Sequence, residues 1–262
     1  MTPEEMDRFS TSRLNSKCVI LAAGASTRLR PLTDSKPKCL LEIGGKALLK
    51  RTIENILNAD IKEIAIVIGF RGDMIRDFIK RHFPQIHFQF FSNPDYDHTN
   101  NAYSLLLARR FLENEEGNIH TGVILLDSDI LFSPGLLPYF LNNPSQDCVA
   151  VRVCGECNEE EVRVKVDGNG NITLIGKETP LNVTFGESIG IEMFSVETTK
   201  HLFTILERRM SSGVGRTEFY EASFQEMIDR GIQLKAVDIS AFPSIEIDTG
   251  DDLQLAERMN ID

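Results

Sequence analysis

The sequence predicts an α/β fold: a Rossmann-like, mostly parallel mixed sheet flanked by helices, with a small antiparallel β ribbon inserted. Three observations carry this. Short apolar runs alternate with helical patterns through the first half of the 262 residues. The runs are apolar at consecutive positions, as in strands covered on both faces. After residue 147 the pattern changes to closely spaced strands around a Gly/Asn turn. Strands joined through helices of this length imply right-handed βαβ units and a parallel sheet.

In chain order, residues 18–23 (CVILAA) read as the first strand. Residues 48–58 (LLKRTIENILN) have helical periodicity, 63–69 (EIAIVIG) form a second buried strand and 72–82 (GDMIRDFIKRH) an amphipathic helix. Residues 87–91 (HFQFF) are a third strand and 101–111 (NAYSLLLARRF) a third helix. Residues 122–126 (GVILL) are a fourth strand running into Asp127-Ser128-Asp129. Beyond it, 148–153 and 162–166 read as strands, and Asp167-Gly-Asn-Gly-Asn171 turns a hairpin onto 172–175. A strand over 190–194, helices over 198–210 and 218–230, strands over 233–237 and 245–247, and a closing helix over 253–259 complete the reading. Residues 1–16 are polar and read as an N-terminal extension. Residues 17–262 are then a single domain, with a parallel half over 17–132 and a mixed half over 133–262.

The bulk composition is that of a soluble globular protein, with 42% hydrophobic and 26% charged residues. A formal net charge of −11 argues against a nucleic-acid binder, which carries a basic face. It leaves room for a local basic pocket. The first sixteen residues lack the apolar core of a signal peptide, and no apolar run reaches membrane-spanning length, so a cytoplasmic enzyme is expected. Five cysteines without regular spacing make no disulfide framework. Cys154 and Cys157 form a lone C-x-x-C, read as plain loop or strand thiols because no second pair or nearby histidine completes a site; a redox or zinc role is the alternative.

Against this acidic background, Arg28, Arg30, Lys36 and Lys38 follow the first strand and Gly24. Ligands of open α/β sheets bind beyond the carboxyl ends of strands, where this stretch lies. Gly24 lets a ligand approach the backbone, Arg28 can fork onto phosphate oxygens, and Lys38 can act as a point charge. Grouped cations repel one another unless an anion sits among them, and polyphosphate is such an anion. The plainer alternative is a solvated loop. Neither a P-loop nor a G-x-G-x-x-G fingerprint occurs, which sets aside Walker-type ATPases and Rossmann dehydrogenases. Asp127 and Asp129 end a hydrophobic strand. Residues two apart face the same side, so a shared cation is one reason for both, and turn formation is the other.

The stretch LAAGASTRLRPLT…KPKCLLEIGGKALL resembles the signature of the nucleotidyltransferases that make sugar nucleotides and CDP-activated alcohols. It departs at Ser26, where many members have glycine. NNAYSLLLA, LLDSDILF, GESIGIEMFS and EIDTGDDLQLAE look like the branch of CTP-dependent enzymes typified by phosphocholine cytidylyltransferase. The resemblance implies Mg²⁺-dependent transfer of a cytidylyl group from CTP to phosphocholine, an aminoethylphosphonate or a polyol phosphate. The parallel half then holds the nucleotide and the mixed half the acceptor.

On the same resemblance, Arg28 and Lys38 are catalytic, and Asp129 and Asp248 are the metal ligands, with Asp127 in support. Ala22, Ala23 and Gly24 present backbone groups to the nucleotide, with Asn93, Asn101 and Ser128. An N-cap at Asn100 or Asn101 is the plainer alternative there. Candidate acceptor residues are Lys165, Lys177, Glu187, Glu218 and Tyr220. Arg163 and Arg216 are further candidates for the acceptor phosphate, and Phe185, Phe219 and Glu221 for a quaternary ammonium. The expected partners are CTP and a small phosphorylated acceptor, with no nucleic acid, no membrane span, and a homodimer as the candidate assembly. A sugar-1-phosphate uridylyl- or thymidylyltransferase and a catalytically silent nucleotide-binding regulatory subunit are the alternatives.

Overall fold

The computed structural model describes residues 16–154, 157–213, 215–259 and 261. Residues 1–15 of the expected extension lie outside it; residue 16 already belongs to the first strand. The strands are β1 (Ser16–Ala22), β2 (Glu42–Ile43), β3 (Lys46–Ala47), β4 (Ile64–Ile68), β5 (Phe88–Ser92), β6 (Gly122–Asp127) and β7 (Ile130–Phe132). They continue with β8 (Cys148–Val153), β9 (Arg163–Val166), β10 (Ile172–Gly176), β11 (Gly186–Phe194), β12 (Lys235–Asp238) and β13 (Ser244–Glu246). The α-helices are α1 (Leu48–Asn58), α2 (Gly72–His82), α3 (Asn101–Leu107), α4 (Arg109–Leu112), α5 (Leu136–Leu141), α6 (Val196–Ser211), α7 (Glu221–Asp229) and α8 (Gly250–Ala256).

Among the described residues the main sheet has nine strands, in the order β10-β9-β11-β6-β1-β4-β5, with β8 between β11 and β12. The pairs β1–β4, β1–β6, β4–β5 and β8–β12 are parallel, whereas β11 runs antiparallel to β6, β8 and β9. The hairpin β9–β10 is the inserted ribbon. Both faces of the sheet are apolar. On β1, Cys18, Ile20 and Ala22 pack with α1, α2 and α5, while Val19 and Leu21 pack with α3, α4, α6 and α7. This explains why β1 shows no alternation of polar and apolar residues.

A third, smaller core joins Leu29, Leu41, Ile43, Leu48, Leu131, Ile245, Ile247 and Ala256. Each buried leucine or isoleucine among them contributes about 1.5–3 kcal/mol. Here they fasten the cationic loop to β7, β13 and α8, and so set Arg28 and Lys38 opposite Asp248.

Several boundaries differ from expectation for local reasons. The helix expected over 101–111 is two, because Ala108 tightens to a bond with Leu105 O before α4 turns Phe111 and Leu112 inward. The helix expected from 218 starts at Glu221, after a 3-10 turn at Gly215–Thr217. The closing helix begins earlier, at Gly250, where Thr249 and Asp252 form a capping box. The strand expected from 190 begins at Gly186. Helix α5 was not expected: its run LLPYFL lacks periodicity and contains a proline. Pro138 sits in the first turn, where its missing N–H costs nothing. Cys154 and Cys157, expected as plain loop or strand thiols, are joined as a disulfide. It closes a very short loop and ties no distant segments together.

Candidate active site

A cleft of about 670 Å³ opens beyond the carboxyl ends of β1, β5 and β6. Ala22, Ala23, Gly24, Ser26, Arg28 and Lys38 line its floor on one side. A Cβ placed on Gly24 would meet nothing within 4 Å, so its bare backbone faces the cleft. Ser26 is left-handed at φ 48°, the conformation a glycine adopts most easily. Thr33 Oγ1 donates to Ser26 O at 2.8 Å and steadies the turn. The next turn is a single 3-10 turn at Lys38–Leu40, set by Pro37, and it sends Lys38 inward until the residue is 6% exposed. Arg30 pairs with Asp34 instead, and neither Arg30 nor Lys36 lines the cleft.

Lys38 Nζ lies 2.8 Å from Asp129 Oδ2 and 2.6 Å from Asp248 Oδ1. Arg28 Nη2 reaches the other oxygen of Asp248 at 2.6 Å. Sequence positions 210 and 220 residues apart thus meet in one network. Burial alone would lower the Lys38 pKa, but the two carboxylates raise it above the ordinary lysine value, so the ammonium is permanent. Burial works against Asp248 ionising as well, but Lys38 and Arg28 hold its carboxyl below the usual range.

Glu246 completes the carboxylates, and one oxygen each from Asp129, Glu246 and Asp248 lies within 4.8 Å of the others. Crowding by surrounding protein, then Asp129 and Asp248, push Glu246 up to about 8. Its side chain still reaches solvent at the cleft mouth. Asp129 Oδ1 is buried with no hydrogen-bond partner. A cluster of hard oxygen donors with one unused lone-pair site suits Mg²⁺ better than a soft metal. Glu246 was missed in the sequence, although strand periodicity puts residues 246 and 248 on one side.

On the opposite wall, Asn93, Tyr96, Thr99, Asn100 and Asn101 line the cleft. Asn93 is 2% exposed, and its amide donates to Thr99 and Ser104 while its oxygen accepts from Asp95 N. Asn100, not Asn101, is the N-cap of α3. Asn101 Oδ1 accepts from Tyr220 N at 2.9 Å. Ser128 is buried at the cleft edge, its N–H bonded to Leu21 O. Gly69 lets the turns pack closely: a Cβ there would stand 2.6 Å from Ala23 O and 2.8 Å from Tyr96 Cβ.

The far end of the cleft is acidic. Glu187 is paired with Arg152, and Lys177 Nζ sits 5.1 Å above the Phe219 ring; all four residues line the cleft. Arg152 went unnoticed in the sequence as the one charge in an apolar strand. Glu221 lines this end too, 6% exposed, with Oε2 lacking any partner. Behind it Glu192 is fully buried, also with an orphan Oε2. Asp127 Oδ2 accepts from Tyr220 Oη at 2.9 Å. Burial first, then Asp129 and Glu221, raise the Asp127 carboxyl well above its ordinary range. Gly190 makes this approach feasible: it bends β11 at φ 73°, and a Cβ there would stand 2.8 Å from Asp127 Oδ2.

The structure separates the other expected acceptor residues from the cleft. Lys165, on the ribbon, does not line the cleft, and Glu218 is engaged by Arg209 at 2.7 and 2.8 Å. Tyr220 is fully buried beneath Asp127. Arg163 is buried with its guanidinium on the carbonyls of Asn158, Lys177 and Thr179. Arg216 pairs with Asp95.

Burial pushes the Glu221 pKa up to about 7. Between the unfolded value near 4.5 and this value, the folded chain keeps a proton that the unfolded chain has lost. Stability therefore falls as pH rises through this window. Glu221→Gln should remove a slope on the order of 3 kcal/mol between pH 5 and 8. Urea unfolding at both pH values checks this; parallel shifts in the two proteins would contradict it.

The chain belongs to the Nucleotidyl transferase family, whose pattern matches residues 17–160. It is 32% identical over 149 residues to a CTP:phosphoglutamine cytidylyltransferase of Campylobacter jejuni, covering 57% of this chain and 51% of that one. It is 36% identical over 98 residues to a choline-phosphate cytidylyltransferase of Streptococcus pneumoniae, covering 37% and 41%. These matches span about half the length of those relatives or less. A solved structure of CTP:phosphocholine cytidylyltransferase from Streptococcus pneumoniae superimposes with a TM-score of 0.73 at 23% identity, over 93% of this chain and 98% of that one. That likeness shows the shared fold.

Proposed function

We propose that this chain transfers a cytidylyl group from CTP to a small phosphomonoester or phosphonate and releases pyrophosphate, as a cytoplasmic, Mg²⁺-dependent enzyme. The observation that carries the reading is the Lys38 ammonium between Asp129 and Asp248, with Arg28 on the same carboxylate. Family membership supplies the class of reaction, and the cytidylyltransferases among its relatives favour CTP.

An acceptor oxygen bonds to the α-phosphorus as the bond from that phosphorus to the bridging oxygen of pyrophosphate breaks. The acceptor oxygen is already anionic, so no proton has to be removed and no side-chain base is needed. Asp129, Asp248 and Glu246 would hold Mg²⁺, which supplies Lewis-acid neutralisation of phosphate charge. Lys38 and Arg28 offset the charge of the two polyanions and fix their approach. Ala22, Ala23 and Gly24 offer backbone groups to the nucleotide, and the wall from Asn93 to Asn101 faces it.

At the far end, where Arg152 engages Glu187 and Lys177 covers the Phe219 ring, the unpartnered oxygen of Glu221 favours an acceptor that carries an amine or ammonium group. A matrix of four nucleoside triphosphates against phosphocholine, aminoethylphosphonate, inositol phosphate and sugar phosphates tests the reading. CTP with an amine-bearing acceptor should give kcat/KM at least about tenfold above the neutral acceptors, a difference of roughly 1.4 kcal/mol. Turnover confined to UTP or dTTP with a sugar 1-phosphate would replace this reading with a sugar-nucleotide one. Nucleotide binding without turnover on any acceptor would mark a regulatory protein.

A further inference from the structure

We infer that Arg216 is a positioning residue for the nucleotide wall of the cleft, acting through the loop from Asn93 to Asn101; this rests on the cytidylyltransferase reading. Arg216 lies in the 3-10 turn Gly215–Thr217, on the mixed half of the chain, yet its contacts are with the parallel half. Its Nη2 donates to Asp95 Oδ2 at 2.8 Å, and its guanidinium carbon stands 4.7 Å from the centre of the Tyr103 ring. Its carbonyl accepts from Asn100 N at 2.8 Å.

Asp95 is where the loop is held together. Its N–H is bound by the Asn93 side chain, and its carbonyl accepts from Thr99 Oγ1 and His98 N. The loop supplies Asn93, Tyr96, Thr99, Asn100 and Asn101 to the cleft wall. A hold on Asp95 and on Asn100 therefore fixes both ends of that wall.

The turn that carries Arg216 is itself anchored. A Cβ on Gly215 would stand 2.8 Å from Arg209 C and 2.9 Å from Met210 N, so the turn is packed directly on the end of α6. Fully buried Tyr220 ties the following residues to Asp127 and Asn101. Loss of the Arg216 side chain leaves these anchors, the main-chain bond to Asn100 and the acceptor end in place, and frees only the Asp95 end of the nucleotide wall.

An exposed ion pair and a cation–π contact are each modest. Arg216→Ala should raise KM for CTP, and its Kd measured by calorimetry without acceptor, about five- to tenfold. The acceptor KM should change less than about twofold, and kcat and the thermal midpoint should stay close to wild type. Asp95→Asn, which breaks the ion pair but leaves the Tyr103 contact, should reproduce part of the effect, and the double variant should be no worse than Arg216→Ala alone, because both substitutions break the same ion pair. Arg216→Lys should recover part of the affinity. Unchanged CTP affinity in Arg216→Ala and Asp95→Asn, equal rises in both KM values, or additive losses in the double variant would overturn the assignment. Should Arg216→Ala not fold, Asp95→Asn reads the same contact from the other side. A wild-type protein that does not bind CTP would instead overturn the cytidylyltransferase reading.

Discussion

Lys38→Met is expected to lower turnover by about 10²–10³-fold, the loss typical of removing one charged contact to a developing transition-state charge, roughly 2.7–4 kcal/mol. Methionine keeps the volume of a side chain that is 6% exposed, and deletes the charge between Asp129 and Asp248. The two carboxylates then face each other with only Arg28 to offset them. Each keeps 25% of its side-chain surface exposed, so water screens part of the repulsion. The stability loss should therefore stay well under the roughly 3–5 kcal/mol of breaking a fully buried pair. The thermal midpoint should fall modestly while kcat collapses. A folded Lys38→Met protein with near-normal kcat would remove Lys38 from the proposed chemistry.

The sequence made the βαβ half readable because each strand is a short apolar run and each helix carries an amphipathic stripe. The bounds of α1 and α2 coincide with expectation. What it hid depends on contacts far apart in the chain. Asp248 was placed by resemblance, and nothing local shows that its two oxygens receive Lys38 and Arg28 separately. The acceptor end was least legible. Glu218 and Glu221 look equivalent in EFYEASF, yet the turn before α7 gives Glu218 to Arg209 and buries Glu221 against the cleft. Arg163 and Arg152 are likewise alike in sequence, both in apolar strands. The ribbon's loop carbonyls absorb Arg163, whereas Arg152 reaches the cleft beside Glu187. Burial and partner choice are tertiary properties, so charge alone could not rank these residues.

Asp129→Asn tests the other half of the network, and its effect should be as large. The substitution keeps the side chain's shape and its backbone setting, in which Asp129 O accepts from Ile247 N at 3.0 Å. It leaves Lys38 paired with Asp248, so the loop remains fastened by charge as well as by the small apolar core. What it removes is one of three carboxylates and the buried oxygen that no protein group satisfies. If that oxygen serves a divalent ion, binding of Mn²⁺ as a spectroscopic stand-in, measured with a non-reactive CTP analogue present, should weaken by at least about tenfold. Turnover under Mg²⁺ should fall by about 10²–10³-fold. Glu246 gives an independent readout. Asp129 is one of the charges that push its carboxyl up to about 8, so the variant should move its titration to lower pH, seen by carboxyl-group NMR. Weakened Mn²⁺ binding together with a lowered Glu246 titration would mark the three carboxylates as one site. Full metal affinity and full turnover in Asp129→Asn would show that the carboxylates serve only to hold Lys38.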